Sequence, residues 1–172
     1  MTTFRLLGLL LFLFFASKNS TAQSLKTYKD TINHFEITIP ATRLVTQTNP
    51  RLKFIAIHSQ TEGSHPVPEN INLNFIEAPD GDLSAAYAMS MESNSALDGF
   101  LSVTKKGAAA DGHYKWYVNT HKDTQRKLIM QSVVFVYYHN QKAVLLTCTA
   151  SEENFENYNP VFFKIANSLK LQ

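Results

Sequence analysis

The chain has 172 residues, 44% of them hydrophobic and 17% charged, and its formal net charge is +2 at pH 7. Residues 1–23 contain two basic side chains and no acidic one, so a mature chain without them would hold 14 basic and 14 acidic residues. A neutral chain without Lys/Arg clusters argues against nucleic acid or an anionic membrane surface as a partner. The single cysteine, Cys148, excludes an intramolecular disulfide.

Residues 1–23 have the pattern of a signal peptide. Arg5 supplies the positive charge, residues 6–15 form a ten-residue apolar run, and residues 20–22 are the small residues of a cleavage site. The run is too short for a membrane span, which needs about 20 residues. Because no cysteine lies near the cleavage site, a lipid anchor is not expected. We predict cleavage after Ala22 or Gln23, an exported mature chain in the periplasm or medium, and one domain over residues 24–172.

The mature chain begins with a polar stretch and a clear strand pattern. Residues 24–33 are a polar lead-in to which no helix or strand is assigned. Residues 34–40 alternate between apolar and polar, which predicts a half-buried strand that ends at Pro40, because proline cannot donate to a ladder. The apolar face of this strand consists of Phe35, Ile37 and Ile39.

Two further strands are predicted before the first helix. They occupy residues 53–59 and 70–78, and a loop rich in Gly and Pro joins them over residues 60–69. In the second of these strands, the inward residues are Ile71, Leu73 and Phe75.

An acidic turn precedes a helical pattern. Asp80 and Asp82 flank a glycine, and the moderately periodic segment that follows predicts a helix over residues 83–97. The turn is interpreted as a helix cap. The alternative is a weak Ca²⁺ site, since carboxylate oxygens on a loop suit that ion.

The second half of the chain predicts a meander of four strands. The first two strands cover residues 100–106 and 113–119, with a small-residue turn between them and a charged corner over residues 120–126. The last two, residues 127–138 and 143–150, are rich in β-branched and aromatic side chains and are joined by His-Asn-Gln-Lys, which predicts an antiparallel hairpin.

The final segment changes to a helical period. Ser151 is predicted to cap a short first turn, with two glutamates placed at the positive end of the dipole. Because proline inside a helix costs about 3 kcal/mol, Asn159 is predicted to cap a second, main helix with Pro160 in its first position. The apolar stripe consists of Phe155, Tyr158, Phe162, Ile165 and Leu169.

This order of elements predicts an α+β fold with a mostly antiparallel sheet of six to seven strands flanked by helices. The segments F-E-I-T-I-P, N-I-N-L-N-F and F-x-x-Y-x-P-x-F-x-x-I-x-x-S-L resemble the PsbP-like and DcrB-like superfamily of α/β/α sandwiches over most of residues 35–169. The resemblance implies an extrinsic, non-enzymatic module. Plant and cyanobacterial relatives assist photosystem II, a eukaryotic relative binds a nuclear-transport GTPase, and bacterial DcrB-like proteins are envelope lipoproteins. The lipid-attachment cysteine of the last group is missing here, and no family functional residue can be carried over.

Motifs for catalysis are not found in the sequence. It contains neither a G-x-S-x-G turn nor a phosphate-binding glycine loop, and no two carboxylates form an evident acid/base pair. Cys148 shares a strand face with apolar residues, so an inert buried thiol is expected. We therefore assign no catalytic, cofactor-binding or metal-ligating residue and expect no cofactor.

The six histidines are dispersed without metal-ligand spacing. We expect them at exposed strand ends and turns, with a transition-metal site assembled in space as the alternative. They are His34, His58, His65, His113, His121 and His139.

Aromatic residues gather on the predicted strands around residue 116 and residue 137. If helices cover both sheet faces, this cluster is core; if one face is open, part of it is a binding platform. The candidate surface residues are Tyr117, His113 and Tyr137, and the rest of the cluster comprises Tyr114, Trp116 and Tyr138.

Two functional hypotheses follow. The preferred one is an exported, non-enzymatic binding or accessory module of the bacterial cell envelope, with an envelope protein as its partner. The alternative is a metal-handling protein or enzyme whose site is assembled from dispersed histidines and acidic residues. The sequence leaves the oligomeric state open.

Overall fold

The computed structural model describes residues 24–46, 52–58, 69–78 and 80–172. The elements in chain order are β1 (Leu25–Asp30), β2 (Phe35–Pro40), β3 (Arg43–Thr46), β4 (Phe54–His58), β5 (Asn70–Glu77), α1 (Leu83–Ser95), β6 (Phe100–Ala108), β7 (Lys115–Asp123), β8 (Leu128–His139), β9 (Lys142–Ser151), α2 (Glu152–Ser168) and β10 (Lys170–Leu171). The predicted signal peptide, most of the predicted 60–69 loop and His65 lie outside the described residues.

The strands form two antiparallel sheets. The large sheet has seven strands in the order β3-β4-β5-β9-β8-β7-β6, and the small one has the order β1-β2-β10. The predicted α+β class, with a mostly antiparallel seven-stranded sheet and flanking helices, is confirmed. Among the described residues, no helix combines the length and apolar character that crossing a membrane would take.

The predicted hairpin is the centre of the large sheet. His139 of β8 pairs with Lys142 of β9, and the two residues between them, Asn140 and Gln141, have φ angles of 48° and 59°. Two successive positive φ angles are typical of the type I′ turn, whose twist matches that of the flanking strands. The polar tetrad therefore supplies the turn that the long strands need.

α2 covers one face of the large sheet, and β2 of the small sheet packs against the same helix. The buried side chains of α2 are Phe155, Phe162, Ile165 and Ala166. They meet fully buried strand residues such as Phe35, Leu73 and Phe135. This three-layer contact between α2 and the two sheets forms the larger of two apolar cores.

The predicted break at Asn159 is wrong, because α2 continues from Glu152 to Ser168 with Pro160 inside it. Apolar side chains before and after the proline pack on the same surface. Their contacts offset the cost of about 3 kcal/mol that a proline inside a helix carries. Ser151 occupies the N-cap position as predicted, but its side chain makes no capping hydrogen bond to the helix backbone. Its hydroxyl instead accepts a hydrogen bond from Asn154 Nδ2 at 3.1 Å.

A buried ion pair ties β3 and β5 to the middle of α2. Arg43 and Glu69 are each 1% exposed, and the Arg43 guanidinium donates to the Glu69 carbonyl at 2.6 Å and lies 3.5 Å from its carboxylate. The guanidinium also lies over the Tyr158 ring, 5.8 Å from its centre. Burial, together with a hydrogen bond to Glu69, raises the pKa of Tyr158 to about 12.

Three short strands were not predicted. β1 lies in the polar lead-in, and β1, β3 and β10 are all edge strands of their sheets. β1 is mostly exposed. Its inward residues are Asp30, which is buried, and the partly buried Tyr28, whose ring centre lies 5.1 Å from that of Phe54. β7 also runs to Asp123, through part of the predicted charged corner.

Candidate binding cleft

α1 covers part of the sheet face opposite α2. Its first turn is capped as predicted: the Asp82 carboxylate accepts a hydrogen bond from the Ala85 amide at 2.8 Å. Only two of its side chains, Ala86 and Ser90, are buried. They meet a small apolar cluster on the sheet that contains Tyr117, Val134, Val136 and Ala143.

Beyond this cluster the same sheet face becomes polar. Residues two apart on a strand share a face, so Asn119 lies next to Tyr117 along β7. Asn119 pairs with Ser132, Ser132 with Thr149, and Thr149 with Asn70. A row of amide and hydroxyl side chains thus crosses four strands at the point where α1 ends.

A cavity of about 220 Å³ lies between this polar row and the C-terminal end of α1. We call it the α1 cleft. It is smaller than the pockets of roughly 300–1,000 Å³ that hold drug-sized ligands. The lining residues are Asn94, Leu97, Asp98, Phe100, Asn119, His121, Ser132, Thr147 and Thr149.

A hydrogen-bond chain connects α1 to the inner wall of the α1 cleft. The Tyr117 hydroxyl lies 2.8 Å from Ser90 Oγ and donates to the Ser90 carbonyl at 3.1 Å. Asn94 Nδ2 donates to the Tyr117 hydroxyl at 2.5 Å and to the Ser90 carbonyl at 3.3 Å. Burial raises the pKa of Tyr117, so its hydroxyl stays protonated.

This chain fixes the orientation of Asn119. The Ser90 carbonyl can only accept, so it holds the Asn94 amide nitrogen and turns Asn94 Oδ1 toward Asn119. Asn119 Nδ2 donates to that oxygen at 3.3 Å. Asn119 Oδ1 is left buried, without a hydrogen-bond partner in the described part of the chain, in a residue only 3% exposed. A buried acceptor without a donor costs about 1–3 kcal/mol.

His121 and the hydroxyls of the cleft do not form a nucleophile and base. Ser132 Oγ is paired with Thr149 Oγ1 at 2.7 Å rather than with the imidazole. Burial lowers the pKa of His121, and the nearby Asp123 carboxylate opposes that effect only in part. The ring is therefore neutral at neutral pH. The cleft can form hydrogen bonds, but its arrangement does not suit acyl transfer.

The rim of the α1 cleft is a tight corner between α1 and β6. Gly99 has a φ of 82°, and the Lys122 amide donates to its carbonyl at 2.7 Å. A Cβ atom on Gly99 would lie 2.4 Å from the Lys122 carbonyl oxygen, so only glycine fits. The corner presents Leu97, which is 62% exposed, and Phe100 beside the polar wall.

No protein-family model matches the chain, and no curated protein matches it in sequence. Solved structures do match. The solution structure of cyanobacterial PsbP (CyanoP) from Synechocystis sp. PCC 6803 has a TM-score of 0.55 at 13% identity, over 90% of this chain and 96% of that chain. The fold is PsbP-like.

Two other solved structures share this PsbP-like fold. The Ran-binding protein Mog1p of Saccharomyces cerevisiae has a TM-score of 0.63 at 9% identity, over 87% of this chain and 96% of that chain. LpqN of Mycobacterium tuberculosis, described as involved in cell envelope biogenesis, has a TM-score of 0.58 at 12% identity, over 87% and 91%. The resemblance inferred from the sequence is confirmed for the fold, which is all that such low identities show.

Within the PsbP-like fold, the three predicted surface residues do not come together. Tyr117 is fully buried under α1, whereas Tyr137 is 3% exposed on the opposite face and donates to the Ala166 carbonyl of α2 at 2.9 Å. α1 covers one tyrosine and α2 the other, so both side chains are core and neither is exposed as a surface residue. His113 alone is exposed, beside Asp111 in a shallow groove that also contains Trp116 and Phe163.

The dispersed histidines do not form a metal centre among the described residues. His34 and His139 line one cavity of about 360 Å³, and His121 lies in the α1 cleft. In the part of the chain that the structure describes, no group of three or more His, Cys, Asp or Glu side chains is placed to hold a metal ion. Cys148 is buried as predicted, and burial raises the pKa of its thiol well above the usual value.

Proposed function

We propose that this chain is an exported, non-enzymatic binding module of the bacterial cell envelope and that the α1 cleft is its binding site. The observation that carries the proposal is the unpartnered Asn119 Oδ1. Asn119 lines the cleft, and the surrounding chain of hydrogen bonds leaves its Oδ1 buried without a partner among the described residues. A buried acceptor that lacks a donor in the free protein gains one when a ligand supplies it.

The chemistry of the cleft supports binding without catalysis. Its two inner hydroxyls bond to each other, and its imidazole is neutral and does not bond to either hydroxyl. The thiol of Cys148 is buried within the α2 core, away from this face, with a raised pKa that keeps it protonated.

The envelope location is supported by two independent features. Residues 1–23 have the charge and apolar pattern of a signal peptide. LpqN, which shares the fold, is described as involved in cell envelope biogenesis. The predicted envelope protein partner remains a separate proposal, because a cleft of about 220 Å³ admits no more than one small group.

Two measurements test this function. Expression of the full chain in a bacterium, followed by fractionation and N-terminal sequencing, should yield protein that begins at Gln23 or Ser24 and needs no detergent. Membrane-bound protein that retains Met1 would contradict export.

Binding is tested by hydrogen exchange of the purified exported protein with and without envelope extract. Residues 94–100 and the β7 amides near Asn119 should exchange more slowly in the extract. Asn119→Leu, which removes the acceptor and fills the cleft, should lose that protection, whereas Thr27→Val on the small sheet should keep it. Equal exchange with and without extract would reject the cleft as a binding site.

A further inference from the structure

We propose that the α1 cleft binds one ring of a neutral sugar, either free or as a residue of a polysaccharide. In this arrangement a sugar hydroxyl donates to Asn119 Oδ1, and the C–H face of the ring lies on Leu97 and Phe100. The inference rests on the proposed function, because it names the ligand of the same cleft.

The inner wall selects neutral hydroxyl groups. It consists of the Asn119 amide, the neutral His121 ring and the hydroxyls of Ser132, Thr147 and Thr149. These groups both donate and accept hydrogen bonds, as sugar hydroxyls do. The unpartnered Asn119 Oδ1 needs a donor, which a hydroxyl supplies and a phosphate dianion does not.

Charged ligands fit this wall poorly. Asp98 is the one carboxylate among the lining residues and is exposed at the rim, and no lysine or arginine is among them. An anion would therefore meet a like charge and find no cation. An ammonium group drawn into the inner wall would lose hydration without a buried counter-charge, which is costly.

The outer wall is apolar and fixed in place. Leu97 and Phe100 line the cleft together with the polar row, and Leu97 is 62% exposed. The Gly99 corner holds both side chains at a set distance from β7 through the 2.7 Å bond from Lys122. A sugar ring has hydroxyls at its edge and C–H groups on its faces, so it satisfies both walls together.

The volume limits the ligand to a single ring. A cavity of about 220 Å³ lies below the range for drug-sized ligands. Because the cleft is open to solvent, a longer glycan can continue outward from the bound residue. Free sugars and polysaccharide residues share this chemistry, and the experiment separates them.

The test is an NMR titration of the ¹⁵N-labelled exported protein. The sugar probes are glucose, galactose, mannose and N-acetylglucosamine at up to about 50 mM, since a small neutral ligand binds in roughly the millimolar range. Soluble fragments of chitin, a neutral polymer of N-acetylglucosamine, form the polysaccharide arm. Sodium phosphate and putrescine are the charged probes. We expect at least one sugar or fragment to give saturable shifts of the Asn119 side-chain amide and of residues 97–100.

Three variants relate those shifts to the cleft. Asn119→Leu should abolish binding. Thr147→Val keeps the shape of the side chain, suits a strand, and should weaken binding about tenfold by removing one hydroxyl. Thr27→Val, which breaks the hydroxyl pair between Thr27 and Thr38 on the small sheet, should leave binding unchanged. The amide spectrum of each variant reports whether it is folded.

Saturable shifts from phosphate or putrescine alone, or sugar shifts that persist in both Asn119→Leu and Thr147→Val, would overturn the sugar assignment. Its failure is distinct from that of the proposed function. If no sugar or fragment binds while envelope extract still protects residues 94–100, the ligand class is wrong and the binding module stands. If neither the sugar probes nor the envelope extract has an effect, both the sugar assignment and the proposed function are wrong.

Discussion

The two faces of the large sheet are each covered by a helix, but the contacts are very different. α2 places Phe155, Phe162 and Ile165 against a mainly apolar surface. α1 buries only Ala86 and Ser90 and is held by a chain of hydrogen bonds that ends in a polar cleft. The same packing of a helix on a sheet thus produces a filled apolar core on one face. On the other face it leaves a polar cleft and a buried hydrogen-bond acceptor without a partner among the described residues. Stability should depend mostly on the α2 face and binding on the α1 face.

The largest expected effect is on the α2 face. Phe162 is fully buried, so Phe162→Ala should lower the free energy of unfolding by about 3–5 kcal/mol through lost transfer energy and a cavity. Urea unfolding measures this change. Leu97→Ala on the α1 side is the matched truncation of an exposed side chain and should cost less than about 0.5 kcal/mol. If both variants lost a similar free energy of unfolding, stability would not depend mostly on the α2 face.

The next effect comes from the rim of the α1 cleft. Gly99→Ala combines a positive φ with a 2.4 Å approach of Cβ to the Lys122 carbonyl and should cost about 2–4 kcal/mol. Gly112 has a φ of 76° but open space around it, so Gly112→Ala should cost only about 1–2 kcal/mol. Thermal unfolding of the two variants compares them. Equal losses would mean that the corner shifts freely and does not hold the cleft open.

A smaller effect is expected from the hydrogen-bond chain of α1. Tyr117→Phe keeps the ring in the apolar cluster but leaves Asn94 Nδ2 and Ser90 Oγ without their shared partner, so it should cost about 1–2 kcal/mol. Tyr87→Phe removes a longer, partly exposed bond of 3.3 Å to the Trp116 carbonyl and should cost less. Chemical denaturation compares the two. A neutral Tyr117→Phe would show that α1 is not held by this chain.

The smallest effect is pH dependence from His121. Its pKa is lowered in the folded state, so the unfolded chain takes up the proton first as pH falls. The neutral ring contributes its full stability at pH values above 6.5, the ordinary pKa of histidine. That contribution is lost as the pH falls from 6.5 toward the lower pKa that His121 has in the folded protein. Asp123 is the charged group that acts on this ring, and Asp98 is the carboxylate among the residues that line the cleft. His121→Gln should therefore lose less stability than the parent between pH 7.5 and pH 5.

Melting temperatures at several pH values measure that difference. Thr27→Val on the small sheet is the control, because the hydroxyl that it removes does not titrate between pH 7.5 and pH 5. Its pH profile should follow that of the parent. If His121→Gln keeps the full acid sensitivity, the cleft imidazole is not the group that responds.

Local patterns in the sequence predicted the α2 face well. Alternation and β-branched content placed β8 and β9, and the spacing from Phe155 to Ile165 placed the buried stripe of α2. Pro160 was misjudged because a local penalty was weighed without the tertiary contacts on both sides of it. β1, β3 and β10 were missed because short edge strands have few inward residues, and their pairing depends on distant segments.

The α1 cleft could not be predicted in the same way. Asn119 and His121 interrupt the strand pattern W-Y-V-N-T-H, and this polar interruption was the one available signal. Its meaning depends on the register that sets Asn119 beside Ser132 and on the bond from Asn94, which is 25 positions away in the chain. No local rule contains that information.

The small sheet has a consequence for the time course of folding. β2 is paired by β10, and the Thr38 amide donates to the Ser168 hydroxyl across 130 positions of the chain. Contacts of such high sequence separation form slowly, because a long loop must close before they contribute. During synthesis, β2 and its buried Phe35, Ile37 and Ile39 must wait until residues 168–171 have emerged. We therefore expect a nascent chain that stays unfolded until synthesis is nearly finished, the state in which a polypeptide can still be threaded through a translocation channel.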